Sequence, residues 1–563
     1  MKVLTLFACI SLTSGNSEAR IRHSELLEYS NSLTKKHMLR DNFGESWLEQ
    51  YIEPMLMKIY GLKGSWDDVL KSAFDMMEHT SDVTYCRIVE EMIMPYAAAP
   101  LAMAGAQGIL KPKVAFPTYN TEQGETGVFN MNQPMVKDGQ PNYLSVDQIG
   151  SVKDTGKIKI AIVGDWGAGT EESMVMTDYL QNMDEDIHFS FHLGDVYFSG
   201  LESEIKQVML NTGNCESGNR KLSKWFPGTR GTFALNGNHE MMSRGEGYFN
   251  TLLPAYGQKA SYGMFQSEYW NFFLLDSAYN CLPEVTGIAS AIDYFKHVSG
   301  DVLAPLPQSI QDWLEDPKLK LFDSNATQSI VLAQHMQLLQ PFADHDFDTA
   351  NMENASTFEL LSKSTGTTLK YLQTLLKKFD YGNEYSPVGF WGHDHKSMAM
   401  ETKIPAVDDS QVNLTLIGQL MGQGGFMVDS PNNQPIRYKE FGMKWYDSEI
   451  YKTVKTGMKA SVPIGFNGFN IVTIEGKNMT IEYFRATPNE KVKAKLVSVR
   501  VLESQGKTLG AKEIHSWVGP DIQTDFNHAP TIAPTIFPPS SNSVAISISS
   551  FLIVLSCLSS FGF

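Results

Sequence analysis

Five short apolar segments in the middle of the chain constrain its fold most, because each is followed by a side chain of a type that binds metals. The segments are Lys157–Val163, Ile187–Leu193, Thr232–Leu235, Ser329–Ala333 and Pro387–Trp391. They alternate with helical stretches, and this pattern is typical of an α/β layered domain. In such sheets the ends of the strands, and the loops after them, are where ligand sites collect. We therefore predict a site at the strand ends.

The residues that follow these segments are oxygen and nitrogen donors. They are Asp165, Asp195, Asn238, His335, His393 and His395. Such donors suit Zn, Fe or Mn rather than Cu(I) or an iron–sulfur cluster. A glycine just before Asp165, Asp195, Asn238 and His393 permits a tight turn that aims the ligand inward. Any one of these strand-end motifs alone is better explained as a turn or a surface histidine. Five such motifs in this order are not expected from independent turns.

The order of these motifs carries a resemblance to a known family. Gly-Asp-x-Gly, Gly-Asp, Gly-Asn-His-Glu, x-His and Gly-His-x-His resemble the calcineurin-like metallophosphoesterases and, within them, the purple acid phosphatases. The similarity covers residues 156–485 and extends through Gly247–Phe249, Gly257–Ser261 and Leu275–Ser277. It implies an α/β fold, a four-layer αββα sandwich, with a dimetal site at the strand ends of its two sheets.

The resemblance also implies a role for each residue. Asp195 would bridge both metals, Asp165 and His395 would bind the first metal, and Asn238, His335 and His393 would bind the second. His239 would hold a phosphate oxygen beside Asn238 and assist the leaving group as the catalytic residue. Two divalent or mixed-valence ions (Fe, Zn or Mn) would lower the pKa of a shared water, and the bridging hydroxide would attack a phosphomonoester.

Two departures from the family pattern concern the first metal. Ordinary members of the superfamily have a His at the position of Gly167, and the purple phosphatases have instead a Tyr at the position of Phe198. Here the tyrosine is Tyr197, one residue earlier, and strand alternation points it to the other face unless the loop has already turned. We therefore expect a weaker first site, no tyrosinate-to-iron colour and less preference for Fe(III), unless Tyr197 or a water restores coordination.

A second comparison excludes a protein Ser/Thr phosphatase of the calcineurin type. That group has Val-Asp-Arg-Gly after the bridging Asp, where this chain has Val196–Ser199, and an Arg at the position of Asn236. The arginines that clamp phosphate are missing. The sequence therefore favours small or exposed phosphoesters as substrates.

The two ends of the chain read as targeting segments. Residues 1–19 combine one basic residue, an apolar run and small residues, as a secretory signal peptide does. Residues 544–563 are apolar and uncharged, and they follow a Pro/Ser/Thr-rich linker at 526–543. This is the pattern of a glycolipid-anchor signal, although a plain tail anchor is an alternative. We expect a glycoprotein that is secreted or attached to the cell surface through a lipid anchor or tail.

The remaining segments give a coarse domain plan. We interpret 20–110 as helical, 111–155 as a linker or surface-wrapping loop, 156–485 as the metallophosphoesterase domain and 486–525 as a C-terminal extension. Within the domain, Phe469–Ile474 and Met479–Phe484 resemble a terminal hairpin, and Gly418–Gly425 reads as a rim loop over the metals. One disulfide is possible among Cys86, Cys215 and Cys281, but the sequence does not choose the pair.

Charge and composition limit the class of partner. The 563 residues carry a net charge of −17, which argues against a nucleic-acid binder, since that would need Lys and Arg against the phosphates. The substrate is expected to be a small phosphoester, and the oligomeric state stays open. Two alternatives to a phosphomonoesterase remain: a non-catalytic surface binding protein on this scaffold, and a phosphodiesterase or nucleotide hydrolase at the same site.

Overall fold

The computed structural model describes most of the chain between residues 112 and 510. The described residues are 112–510 without 184, 198–199, 213–215, 218–219, 222–223, 283–302, 323–326, 341–355, 381–383, 407–410, 426–440, 448, 456–460 and 488–493. The predicted signal peptide, the helical 20–110 region, the linker at 526–543 and the apolar tail at 544–563 lie outside these residues. Within them, no helix is long and apolar enough to cross a bilayer.

The described residues form mainly β-strands. In chain order the strands are β1 Val128–Asn130, β2 Val136–Lys137, β3 Gln140–Pro141, β4 Ile158–Val163, β5 Phe189–His192, β6 Glu216–Ser217, β7 Arg220–Lys221, β8 Gly231–Ala234, β9 Gly263–Gln266, β10 Trp270–Leu275, β11 Ser329–Gln334, β12 Glu384–Tyr385, β13 Val388–Trp391, β14 Ser397–Ile404, β15 Asn413–Met421, β16 Met443–Tyr446, β17 Ile450–Lys455, β18 Ser461–Gly465, β19 Gly468–Glu475, β20 Asn478–Ala486, β21 Ala494–Ser504 and β22 Leu509–Gly510. The α-helices among the described residues are α1 Glu171–Gln181, α2 Glu202–Glu204, α3 Asn238–Met241, α4 Leu253–Ala255, α5 Gln308–Leu314, α6 Thr357–Ser364 and α7 Thr367–Lys378. Short 3₁₀ turns lie at Thr121–Gln123 and Val146–Gln148, and π-helical turns at Ile205–Met209 and Tyr248–Leu252.

Two large mixed sheets organise these strands. The first has nine strands in the order β1-β9-β10-β11-β13-β15-β14-β16, with β12 paired to β15. The second has seven strands in the order β22-β21-β20-β19-β4-β5-β8. Each sheet contains a parallel block, β10-β11-β13-β15 in the first and β4-β5-β8 in the second. Parallel blocks bring successive strand ends to one edge, which is where the site forms.

The two sheets pack face to face. Along β4, Ile160 and Ile162 enter the core between the sheets with Phe272 and Val331 of the facing sheet, while Ala161 turns to the opposite side. This alternation follows from the two-residue period of a strand. All five side chains are completely buried.

Helices cover the outer faces of both sheets. Helix α7 has apolar residues at helical spacing, and Leu369, Leu372 and Leu376 pack on the outer face of the nine-stranded sheet with α5. Helix α1 begins at Glu171 and packs on the seven-stranded sheet. Thr170 caps its N-terminus, because the threonine hydroxyl accepts the Ser173 amide hydrogen. The order helix, sheet, sheet, helix is the α/β sandwich that the sequence predicted.

The structure extends the layered domain beyond the predicted bounds of 156–485. Val128–Asn130, inside the segment interpreted as a linker, is an edge strand of the nine-stranded sheet, and Val128 is fully buried. Ala494–Ser504, inside the predicted C-terminal extension, pairs with β20 from Ala494 to Glu503. The predicted hairpin is confirmed: β19 and β20 pair in antiparallel register, with Gly476 at φ 57° in the turn.

Of the three cysteines considered for a disulfide, the structure describes one. Cys281 is completely buried. Cys86 and Cys215 lie outside the described residues, so the disulfide and its pairing stay open.

Candidate metal centre

All six predicted ligands lie at the carboxyl ends of parallel strands. Asp165, Asp195 and Asn238 follow β4, β5 and β8 of the seven-stranded sheet, and His335, His393 and His395 follow β11 and β13 of the nine-stranded sheet. The carboxyl ends of the two parallel blocks face one another across the inter-sheet core. Ligands that are far apart in sequence therefore meet at one edge.

Three of these residues adopt a backbone conformation that side chains other than glycine rarely take. The φ angles are 58° at Asp165, 73° at Asp195 and 69° at His393. Left-handed backbone at a non-glycine residue costs about 1–3 kcal/mol and persists only where the surroundings enforce it. Here it turns each side chain sharply from the strand end into the cleft. Gly194, at φ 100°, allows the chain to make the turn before Asp195.

One group of four side chains presents acceptor atoms to one another. The Oδ1 atom of Asn238 lies 2.9 Å from Nε2 of His335 and 2.9 Å from Nδ1 of His393. Asp195 Oδ1 lies 3.2 Å from the same His335 nitrogen. The Nδ1 of His335 donates to the Leu193 carbonyl at 2.9 Å, so in the neutral ring Nε2 carries a lone pair. The lone pairs of these oxygen and nitrogen atoms point toward one another. A bound cation could accept all of them at once.

A second group lies on the other side of Asp195. Asp165, Asp195 and His395 place ligand atoms within 4.8 Å of one another. The hydroxyl of Tyr197 lies among them, 2.8 Å from Asp165 Oδ1, 3.2 Å from Asp195 Oδ2 and 2.9 Å from His395 Nε2. A phenol has one proton for these three acceptors. This group too has more acceptors than donors, as a cation site requires.

Asp195 belongs to both groups, with Oδ1 toward His335 and Oδ2 toward Tyr197. Burial opposes its ionisation, but the histidines around it, His335 foremost, lower the pKa of Asp195 below its ordinary value. The His239 amide also donates to Asp195 Oδ1 at 3.1 Å. Asp195 is therefore a carboxylate with one oxygen available to each group, the geometry of a bridging ligand.

The orientation of Tyr197 differs from the expectation of strand alternation. The chain has already turned after Asp195, because the Gly167 amide donates to the Asp195 carbonyl at 3.2 Å and the Tyr197 amide to the Gly167 carbonyl at 3.0 Å. A Cβ on Gly167 would lie 2.6 Å from the Asp195 carbonyl oxygen and 2.7 Å from Cα of Val196. A histidine therefore does not fit at residue 167, and Tyr197 supplies a polar atom to this group instead. Phe198 lies outside the described residues.

The protonation state of Tyr197 depends on what binds beside it. Burial, together with Asp165 and Asp195, raises the pKa of Tyr197 well above its ordinary value. In the absence of a cation the side chain is thus a neutral phenol. A bound cation reverses this local balance of charge.

His239 lies beside Asp195 and is partly exposed. Its side chain is 14% exposed, and its Nε2 lies 3.7 Å from Asp195 Oδ2. The ring packs edge-on against Tyr197, with the centroids 4.5 Å apart. His239 belongs to neither group of potential ligands.

Glu240, which sequence reasoning left without a role, ties two ligand loops together. Its Oε2 accepts the amide hydrogens of Asp195 at 3.1 Å and Gly237 at 3.0 Å. Burial and the neighbouring Asp195 raise the pKa of Glu240 well above its usual value. The only sequence signal was its place in the Gly-Asn-His-Glu motif.

The segment Gly418–Gly425, predicted as a rim loop, is divided in two by the structure. Its first four residues belong to β15, and Gly422–Gly425 form a loop against the Asp165 turn. The Gly424 amide donates to the Gly164 carbonyl at 2.9 Å, and a Cβ on Gly422 would lie 2.1 Å from the Asp394 carbonyl oxygen. The loop therefore supports the ligands from behind.

Comparisons with known proteins return distant structural likenesses only. No protein-family model and no curated protein sequence matches the chain. Similar solved structures include PhoD, with 12% identity over 65% of this chain and 73% of that chain and a TM-score of 0.35. GAP50, the anchor in the inner membrane complex of Plasmodium, shares 10% identity over 61% and 89%, with a TM-score of 0.30. A predicted phosphoesterase from Streptococcus pneumoniae shares 9% identity over 61% and 98%, with a TM-score of 0.20. Likenesses this distant carry no argument, and the fold and site rest on the geometry given above.

Proposed function

We propose that the chain is a metal-dependent phosphoesterase that hydrolyses phosphomonoesters at a centre of two cations. The observation that carries the proposal is the position of Asp195 between two acceptor-rich groups, with one oxygen toward each. Carboxylates and imidazoles that converge from both sheets within 4.8 Å are the donor types that a pair of such cations would need.

The donor set fits the proposed ions. Asp165, Asp195, Tyr197 and His395 would hold one cation, and Asn238, His335 and His393 would hold the other together with Asp195. Oxygen and imidazole donors suit Zn, Mn or Fe. When bound, such a pair supplies an activated water and stabilises the charge that develops on phosphate oxygens.

The chain's own residues then supply the remaining chemistry. His239 stands at the opening with its ring beside Tyr197, where it can bind a phosphate oxygen and give a proton to the leaving group. The carboxyl groups of Asp195 and Asp165 are buried inside the fold at the ends of β5 and β4. Glu240 keeps the loops of Asp195 and Asn238 at a fixed separation.

One contact supports small or exposed esters as substrates. Asn236 stands where Ser/Thr phosphatases have an arginine, and its amide nitrogen donates to the buried Asp276 at 3.2 and 3.3 Å. The side chain is directed to the interior and does not clamp a phosphate. Selection of a monoester then depends on the metals and on His239.

The test is metal content and turnover on the same sample of the full chain. We expect about two Zn or Mn ions per chain and hydrolysis of p-nitrophenyl phosphate that stops on chelation and returns with metal. His239→Asn is expected to keep the metal and lose most turnover, while His188→Gln, at a half-buried histidine at the start of β5, changes neither. Metal binding without any turnover would refute the proposed enzymatic activity and favour the alternative of a non-catalytic binding protein on this scaffold. Faster hydrolysis of bis-p-nitrophenyl phosphate than of the monoester would refute the proposed substrate class.

A further inference from the structure

Asp276 is a buried carboxylate beside the proposed metal centre that belongs to neither group of ligands. It follows β10 at the same edge of the nine-stranded sheet where His335 and His393 follow their strands. Its side chain is completely buried. A buried carboxylate away from any cation needs another reason to be present, because its burial is unfavourable.

The contacts of Asp276 connect it to the loop that carries Asn238. Its Oδ1 accepts the backbone amides of Ala278 at 3.0 Å and Tyr279 at 2.8 Å, and its Oδ2 accepts the Ser261 hydroxyl at 2.6 Å. Both oxygens accept from Nδ2 of Asn236, at 3.3 and 3.2 Å. The other side-chain atom of Asn236, Oδ1, has no hydrogen-bond partner among the described residues. Asp276 thus anchors the strand end two residues before Asn238.

Ser277, the next residue, makes a corresponding contact with the loop that follows His335 in the nine-stranded sheet. Ser277 Oγ accepts the Met336 amide hydrogen at 2.9 Å, directly after His335. His335 and Asn238 come from different sheets, and their ligand atoms lie 2.9 Å apart. The dipeptide Asp276–Ser277 therefore spans the seam between the sheets and fixes both loops of the same metal group.

We propose that Asp276 is a positioning residue that sets the affinity of the Asn238–His335–His393 group for its metal ion, and that its protonation in mild acid weakens that ion's binding. The proposal rests on the proposed metal centre. Residues that orient the ligands of a metal typically change its affinity about 10- to 100-fold when mutated.

The chemistry of the contacts explains the acid dependence. Every partner of the ionised Asp276 can donate a hydrogen. If Oδ2 of Asp276 is protonated, it donates to the Ser261 hydroxyl instead of accepting from it. The Asn236 amide can then donate only to Oδ1 of Asp276, which already accepts two backbone amides. Burial raises the pKa of Asp276 to about 6, although the Ser261, Tyr279, Asn236 and Ala278 hydrogen bonds oppose it. Among the described residues, Tyr248 is a titratable group that faces Asp276. Burial and Asp276 raise the pKa of Tyr248, so that it stays neutral.

The test uses Asp276→Asn, which has nearly the same shape as the protonated side chain and cannot ionise. Binding of Zn²⁺ to the full-length variant and wild type is measured by competition with a chromophoric chelator from pH 7.5 to pH 5. We expect one of the two ions to bind about tenfold more weakly in the variant at pH 7.5. The ratio of the wild-type affinity to the variant affinity for that ion should then shrink toward one below pH 6. Proton competition at the ligands affects both proteins alike and cancels in this ratio.

Two further variants keep the test decisive. Asp154→Asn makes the same chemical change at a half-buried carboxylate, which accepts the Glu268 amide away from the site, and should bind both ions as wild type does. Ser277→Ala should weaken the same ion by a factor that does not change with pH. An Asp276→Asn variant that binds like wild type, or an affinity ratio that stays constant with pH, would overturn the proposal. Wild type that binds no metal would refute the proposed function itself.

Discussion

The backbone of Tyr197 is hydrogen-bonded to Gly167, amide to carbonyl at 3.0 Å, and the tyrosine hydroxyl lies 2.8 Å from Asp165. The two departures from the family pattern are therefore structurally coupled. The absence of a side chain at Gly167 lets the loop after β4 approach the loop after β5. That approach places Tyr197 in the group that would otherwise lack a ligand.

Tyr197→Phe is expected to lower the affinity of the Asp165–His395 group for its ion by at least about tenfold, because the ion loses the phenol oxygen that lies among these side chains. The geometry also reverses our expectation about colour: wild type loaded with ferric iron should absorb visible light, and the variant should not. Metal titration followed by absorbance measures both effects.

Tyr256→Phe is the matched control for this change. The Tyr256 hydroxyl is buried and has no hydrogen-bond partner within the described parts of the chain. Its removal should alter neither the metal affinity nor the spectrum. Equal spectra for Tyr197→Phe and wild type would exclude Tyr197 as a ligand.

Gly167→Ala is expected to destabilise the fold by about 1–3 kcal/mol, because the added methyl group would overlap backbone atoms of Asp195 and Val196. The same displacement should move Tyr197 and weaken the first ion. The free energy of unfolding in urea, with and without Zn²⁺, measures both effects. An unchanged midpoint would mean that the two loops are farther apart in solution.

Asn238→Ala is expected to remove the oxygen shared by His335 and His393. One ion should then be lost, and turnover should fall by more than the roughly 100-fold typical of residues outside the ligand set. Metal analysis and p-nitrophenyl phosphate turnover check this result. Retention of two ions would contradict the assignment of Asn238 as a ligand.

His192 should make the protein sensitive to acid. Burial lowers the pKa of His192 from its ordinary 6.5 to about 3. The unfolded chain therefore binds a proton between these values that the folded chain does not, and stability falls as pH drops from 6.5 toward 3.

His192→Asn removes the titrating group and keeps an acceptor for the Gly194 amide, which donates to Nδ1 of His192 at 3.3 Å. The loss of stability from pH 6.5 to pH 4 should therefore be smaller in the variant, by an amount on the order of a few kcal/mol. Urea unfolding across this range measures the difference. Parallel curves for the two proteins would mean that His192 titrates normally in the fold.

The buried ion pair of Arg485 and Asp447 should be essential to stability. The guanidinium donates to both carboxylate oxygens, at 2.6 and 2.7 Å, and both side chains are almost fully buried. Asp447→Asn leaves the buried guanidinium with Glu449, at 2.6 Å, as a remaining carboxylate partner, and should cost about 3 kcal/mol of unfolding free energy. Glu268→Gln, in the exposed pair with Lys153, provides the control and should change little.

The sequence predicts much of the site because strand ends are local features. Each ligand could be placed by the short apolar segment before it, and Asp165, Asp195, Asn238 and His393 also by the turn glycine beside them. The hairpin from Phe469 to Phe484 was predicted for the same reason, since its turn is encoded within a few residues. Val128–Asn130 was missed because a three-residue edge strand between polar segments has no detectable period.

Features that depend on contacts between distant segments could not be predicted. The position of Tyr197 depends on backbone bonds to Gly167. The proposed role of Asp276 depends on Asn236, which follows β8 of the other sheet, and on Ser261, which precedes β9. Strand alternation describes a regular strand and gives the wrong face once the chain has turned.

The contact between Asp165 and His393 has a consequence for how the protein folds. The His393 amide donates to Asp165 Oδ2 at 2.9 Å across 228 positions of sequence. Closure of so long a loop is entropically costly and occurs only once the intervening strands have found their partners. The candidate centre is thus completed late in folding, and neither half of the chain emerging from the ribosome carries all six candidate ligands by itself.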